Sequence, residues 1–228
     1  MKKLILLAIF FFMLAVSMNA QKTMKMTQRQ QALVAAGALG AKGDVENLKM
    51  VLNQGFEQGM TVSELKEALS HIYAYAGFPR SLNALGALQS VMNDRKQSGL
   101  RMEPGKEADP LPDDYDALRQ GTEVQTKLTG VPFNYTFAPQ TDFYLKAHLF
   151  GDIFARNNLS FADRELITVG AISALEGCHP QLVAHVNGAR NMGNSDVVIR
   201  EIPEVLAKMV GVDESERVKK AIAQAFGE

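Results

Sequence analysis

Apolar residues along the chain recur at helical spacing, and the residues between these runs are the ones that start and stop helices. Leu33, Val34, Ala38 and Leu39 form one stripe over 28–42, with Thr27 placed as N-cap and Gly43 as a stop. Asp44 can cap a second helix that runs through Leu48, Val51 and Leu52 to Gly59. Thr61 and Glu64 have capping-box spacing, in which the hydroxyl takes the third backbone N–H while the carboxylate reaches back. They predict a helix from Val62 to Ala76, closed by Gly77 and turned by Pro79, with another over 81–96. Downstream, Ser160 and Asp163 repeat the box, Gly177 ends that helix, Pro180 suits the first turn of the next, and Gly193 ends it. No stretch sustains period-two alternation, so the predicted fold class is all-α.

The helices fall into two copies. Leu33, Gly37, Ala38 and Ala41 meet Leu166, Gly170, Ala171 and Ala174 at an offset of 133. After a one-residue insertion, Gly43, Leu48, Asn53, Gly59, Glu67 and Gly77 meet Gly177, Leu182, Asn187, Gly193, Glu201 and Gly211 at 134. Two tandem repeats, 21–98 and 145–228, are therefore expected around a connector at 99–144. Pro104, Pro110, Pro112, Pro132 and Pro139 punctuate that connector, leaving room for one short helix near Tyr115 to Gln125. Phe133, Tyr135, Phe137, Phe143, Tyr144, Phe150 and Phe154 are expected to pack it against the helices, with the lining of a substrate cavity as the competing role.

Composition narrows the function. With 24 basic against 25 acidic residues and no basic run after the start, the chain offers no footprint for nucleic acid. Its one cysteine cannot form an internal disulfide, and no Cys/His spacing suits structural zinc. Residues 1–20 read as a cleaved signal peptide, with Lys2 and Lys3 ahead of an apolar run from Leu4 to Val16, too short to span a bilayer comfortably. Export to a periplasmic compartment without stable membrane insertion is the expectation. Losing Lys2 and Lys3 takes the 24 basic residues to 22 against 25 acidic, a mature net charge of −3.

Polar positions differ between the repeats. Glu67, His71 and Tyr75 share one helix face at i, i+4, i+8, whereas the copies of His71 and Tyr75 are Val205 and Met209. Cys178 and His185 lie seven apart on another helix, where the first repeat has Asp44 and Val51. A twofold pairing of repeats would merge the two sets into one composite site. In it Cys178, near a helix N-terminus, is a candidate thiolate, His185 and His71 are proton shuttles, and Glu165 orients an imidazole. Each has a plain structural role as the competing explanation: an inert buried thiol, a core histidine, a carboxylate serving a helix dipole. His148 and His179 read as surface residues.

The segments ELKEALSHIYAYAGFPRSLNAL (64–85) and LKAHLFGDIFARNNLSFADRELITVGAISALEGCHPQLVAHVNGARNMG (145–193) resemble the carboxymuconolactone decarboxylase family in its two-repeat form. The resemblance implies an all-α fold shared with the alkyl hydroperoxidase D proteins, a homo-oligomer with a trimer favoured, a small-molecule substrate and no cofactor. Two activities follow from it. One is decarboxylation or isomerisation of a small carboxylated lactone, in which Glu165, His185, His71, Glu67 and Cys178 move protons and Tyr75, Pro79 and Gln181 lie on the substrate side. The other is thiol peroxidase chemistry. Relatives of that kind carry two cysteines three apart ahead of a histidine. Here Cys178 matches the first and His185 the histidine, but Gln181 stands at the second, so only a one-cysteine route with an external thiol remains. A non-catalytic ligand-binding module is the third reading.

Overall fold

The computed structural model describes residues 25–228, and the expected signal peptide lies outside them. The described chain runs α1 (Gln28–Lys42), α2 (Val45–Glu57), α3 (Val62–His71), α4 (Tyr73–Gln97), α5 (Ala117–Thr129), α6 (Pro139–Phe143), a π-helix (Tyr144–Ile153), α7 (Phe161–Ser173), α8 (His179–Asn191), α9 (Asp196–Met209) and α10 (Val212–Phe226). No strand occurs among the described residues, so the fold is all-α. No helix among them is long and apolar enough to cross a membrane.

The centre of the molecule is the pair α1 and α7, equivalent helices of the two repeats. Residues Ala32–Ala41 of α1 and Arg164–Ser173 of α7 are buried on every side. A helix without a polar face has to lie inside, and its neighbours must come from both repeats. Leu33 and Leu39 of α1 join the core of the first repeat with Leu52, Leu69 and Ile72. Val34 and Ala38, on the other face, join that of the second with Leu166, Val186 and Ile202. A third cluster, Leu128, Leu149, Phe150, Ile153 and Phe154, fastens the connector.

The two helices touch through glycine. A Cβ on Gly37 would stand 2.3 Å from the Ile167 carbonyl oxygen, and one on Gly170 2.2 Å from that of Val34. Gly37 and Gly170 are equivalent at the 133-residue offset, and so are Val34 and Ile167. Reciprocity of this kind is the mark of a twofold relation between the repeats. Polar contacts cross the same seam: Arg29 of α1, which also pairs with Glu64 of its own repeat at 2.7 Å, reaches Asp163 at 2.8 Å, and the Met26 amide donates to Glu201 at 2.8 Å.

Local chemistry follows the caps, with several boundary shifts. Thr27 and Thr61 form complete capping boxes, with Gln30 and Glu64. Ser160 forms only half of one: its hydroxyl takes the Asp163 amide, but the Asp163 carboxylate is occupied by Arg29. The helix expected from Val62 to Ala76 is interrupted at Ile72, and Gly77 (φ 80°, ψ 163°) then breaks the direction inside α4. Only glycine adopts that conformation without strain. Pro79 consequently falls in the first turn of the helix that resumes there, which starts earlier than residue 81. α7 and α8 stop at Ser173 and Asn191, short of Gly177 and Gly193, which lie in the turns beyond. The connector holds more structure than expected: a 13-residue α5, α6 and the start of the π-helix. Of its aromatic rings only Phe150 and Phe154 are buried; Phe133, Tyr135, Phe137, Phe143 and Tyr144 are exposed, so they do not pack the connector down.

Candidate functional site

A polar contact between Glu165 and His185 joins α7 to α8. Glu165 is fully buried, and its Oε2 lies 2.9 Å from Nδ1 of the partly exposed His185. An ionised Glu165 accepts from Nδ1–H, which fixes the ring orientation and leaves Nε2 as the nitrogen for a reacting group. Glu165 sits just past the first turn of α7, and His185 in the middle of α8. Gly188, one turn beyond His185, keeps space for the carboxylate: a Cβ there would meet Glu165 Oε2 at 3.0 Å.

His185 opens on a cavity of about 260 Å³ that it shares with Cys178, Gln181 and Tyr75. Its remaining wall is apolar, from Ala74, Ile172 and Leu175 and from Leu145, Leu149 and Phe150 of the π-helix. A π-helix widens the turn to an i→i+5 bond, as from the Phe154 amide to the Leu149 carbonyl at 3.2 Å, and such segments recur at functional sites. Cys178 is the N-cap residue of α8, a position before the first turn, and its thiol is half-buried.

The first repeat contributes Tyr75 and His71. The Tyr75 ring stands edge-on to His185 with centroids 5.5 Å apart, and His71 lies 5.3 Å behind Tyr75. The Tyr75 hydroxyl and Glu165 Oε1 are buried and have no hydrogen-bond partner among the described residues. Burial, and then the neighbouring Glu165 charge, push the Tyr75 phenol well above its ordinary value, so it stays protonated. His71 is fully buried, with Nε2 2.9 Å from the Thr168 hydroxyl, which also donates to the Arg164 carbonyl. Thr168 has one hydrogen, so with that geometry Nε2 carries the proton of His71. Burial foremost, then Arg164 and His185, hold His71 well below its usual range and keep it neutral.

The structure thus brings Glu165, His185, Cys178, Tyr75 and Gln181 together, with His71 behind Tyr75. It leaves two of the expected residues apart. Glu67 is buried against Arg164 at 2.8 Å, Arg156 at 2.8 Å and Asn158 at 3.2 Å, and does not line the cavity. Its carboxylate compensates Arg164, which is fully buried. Pro79 is exposed and also outside the cavity wall, because the break at Gly77 turns the chain away. The twofold relation supplied the reason to seek partners across repeats, and the aromatic-rich segment drew attention to Phe150, but Thr168, Leu145 and Leu149 carried no sequence signal. No three His, Cys, Asp or Glu side chains converge on a metal site among the described residues. His148 pairs with Asp152 and His179 with Gln224, both on the surface.

Comparison with known proteins finds relatives for parts of the chain. An uncharacterized protein of Methanocaldococcus jannaschii is 28% identical over 71 residues, spanning 31% of this chain and 66% of its own. The 4-carboxymuconolactone decarboxylase of Acinetobacter baylyi is 38% identical over 64 residues, spanning 28% of this chain and 48% of its own. The chain therefore matches between about half and two-thirds of the length of these relatives. The carboxymuconolactone decarboxylase family model matches twice, at residues 12–90 and 139–224, once on each repeat. With most of its length covered by those two matches, this all-α tandem-repeat chain belongs to the carboxymuconolactone decarboxylase family.

Proposed function

We propose that the protein is a lyase or isomerase acting on a small carboxylated lactone, with His185 as the group that moves the proton. The observation that carries this reading is the buried Glu165 carboxylate 2.9 Å from Nδ1 of an imidazole that faces a largely apolar cavity. In decarboxylation the bond between carbon and carboxylate breaks, CO₂ leaves, and the electron pair passes into a dienolate. A proton from His185 Nε2 then goes to carbon, and Glu165 stabilises the imidazolium before that transfer. The apolar wall strengthens each charge interaction inside, and the protonated Tyr75 donates toward developing negative charge.

The test is CO₂ release from 4-carboxymuconolactone, the compound in the name of the Acinetobacter relative. His185→Ala should lower turnover by ~10²–10⁴-fold while leaving the helical content unchanged. Turnover that survives His185→Ala overturns the reading.

One observation favours a second reading. Cys178 shares the cavity with His185 and stands at the N-cap of α8, where a hydroperoxide entering the cavity would meet its sulfur. As a peroxidase the thiolate would attack a hydroperoxide, giving sulfenic acid and an alcohol. Two equivalents of an external thiol would then restore Cys178 with release of water and a disulfide. Export through residues 1–20 and assembly as a homo-oligomer, a trimer first, belong to the same proposal. The exposed rings Phe133, Tyr135 and Phe137, with successive centroids 6.4 and 6.2 Å apart, support the assembly, since clustered apolar surface of this kind commonly marks contact sites.

A further inference from the structure

The twofold relation between the repeats implies a second location equivalent to the Glu165–His185 cavity, and a cleft occupies it. Ala32, Val51 and Met209 are the counterparts of Glu165, His185 and Tyr75 at the repeat offsets, and all three line one cavity of about 520 Å³ between α1, α2 and α9. Duplication left two hollows and divided their chemistry. Where one has an imidazole backed by a buried carboxylate, the other has an isopropyl and a methyl group, so it lacks that pair.

The cleft is nevertheless polar. Gln28, Gln31, Asn47, Gln54 and Gln58 line it, and Asn47 is the counterpart of Gln181 in the other cavity. Each amide brings both donor and acceptor atoms. Two are already oriented by the protein: Asn47 Nδ2 donates to Asp44 at 2.7 Å, and Gln31 Nε2 donates to the Met26 carbonyl at 3.2 Å. Their oxygens are thereby left to accept from an incoming hydroxyl. Lys208, which stands where the other repeat unit has Ala74, supplies the one charge in the wall among the described residues, and no acidic side chain among them lines it. Met50 and Met209 provide an adaptable apolar surface.

We propose that this cleft is a second, non-catalytic site for a small hydroxylated monocarboxylate, with the carboxylate on Lys208 and the hydroxyls on the amides. A dicarboxylate fits less well, because its second charge would find no cation in the wall. A purely apolar acid fits less well again, because it would strip water from five amides without replacing their hydrogen bonds.

Gluconate is the probe, followed by the methyl signals of methionine in protein labelled with [methyl-¹³C]methionine. Met50 and Met209 should shift in a saturable way while core methionines stay in place. Lys208→Met should weaken gluconate by about fivefold or more, as expected for loss of a charge-assisted hydrogen bond. Gln54→Leu should weaken it as well. Glucose, which lacks the carboxylate, and hexanoate, which lacks the hydroxyls, should each bind more weakly than gluconate. His185→Ala should leave the gluconate shifts unchanged, which separates this site from the lyase reading. No saturable shift at millimolar gluconate overturns the proposal. So does equal binding by hexanoate, an unchanged affinity in Lys208→Met, or loss of the shifts in His185→Ala.

Discussion

Gly37 and Gly170 occupy equivalent places in the two repeats, and each lets its helix rest on a backbone carbonyl of the other: Gly37 on Ile167, Gly170 on Val34. This contact brings α1 and α7 closer than side chains would allow. It also sets where α3 and α4, which carry His71 and Tyr75, stand relative to α7 and α8, which carry Glu165 and His185.

The close approach makes both glycines sensitive to one added methyl. Gly37→Ala or Gly170→Ala places a carbon against a backbone oxygen that cannot rotate aside. Overpacking of that kind costs ~1–3 kcal/mol, a fall of roughly 2–4 °C in melting temperature for each kcal/mol in a chain of this size. Gly86 in α4 has open space at its Cβ position, so Gly86→Ala should stabilise by ~0.5–1 kcal/mol. Thermal denaturation of the three variants decides it. Equal melting of Gly37→Ala and the unaltered protein would show that the helix pair yields easily.

His71 makes stability depend on pH. Its folded form resists protonation because of burial, then Arg164 and His185, whereas an unfolded histidine takes a proton near ~6.5. Below that value the unfolded state binds more protons than the folded one, so the stability present at higher pH is lost progressively as pH falls. Urea unfolding between pH 7.5 and pH 5 should show a larger loss for the unaltered protein than for His71→Gln. Imidazole ¹⁵N shifts should report an Nε2–H tautomer that does not titrate in this range. A His71 ring that titrates near 6.5 would contradict the buried placement.

Glu67 and His185 should separate stability from turnover. Glu67→Ala leaves the fully buried Arg164 without its carboxylate, at a cost of ~3–5 kcal/mol. Glu67→Gln keeps a hydrogen-bond acceptor and serves as the milder variant if the first does not fold. On the proposed function, its kcat on the lactone should stay within a few-fold of the unaltered protein, whereas His185→Ala should lose turnover without a comparable loss of stability. A collapse of kcat in a stable Glu67→Gln protein would bring Glu67 back into the chemistry.

Cys178→Ser distinguishes the two activities. In a lyase the thiol is a cavity wall, and turnover should change by less than about tenfold, whereas reaction with an alkyl hydroperoxide should vanish. Mass spectrometry of Cys178 after peroxide, alongside CO₂ release, reads both at once. Loss of decarboxylation in Cys178→Ser would place the thiol in the proton pathway.

Much of this was legible in order along the chain. Caps such as Thr27, Asp44 and Thr61 act within four residues, and helix periodicity acts within two turns, so the all-α class and most helix starts follow from local rules. The 133-residue echo gave the repeats, and with them the idea that complementary polar sets meet. Other features depend on neighbours far away in sequence. The Asp163 carboxylate abandons its own capping box because Arg29 approaches from the other repeat. Glu67, on the same helix face as His71 by spacing, turns out to serve Arg164, and that choice is made by which element packs against each part of the face. The π-helix has no sequence signature that propensity can read. Local hydrogen bonding and the apolar pattern were thus determined by the sequence alone. The pairing of Glu165 with His185, and the opening of a hollow at each of the two equivalent places, were decided by the tertiary structure, because hydrogen-bond partners and burial depend on which helices meet.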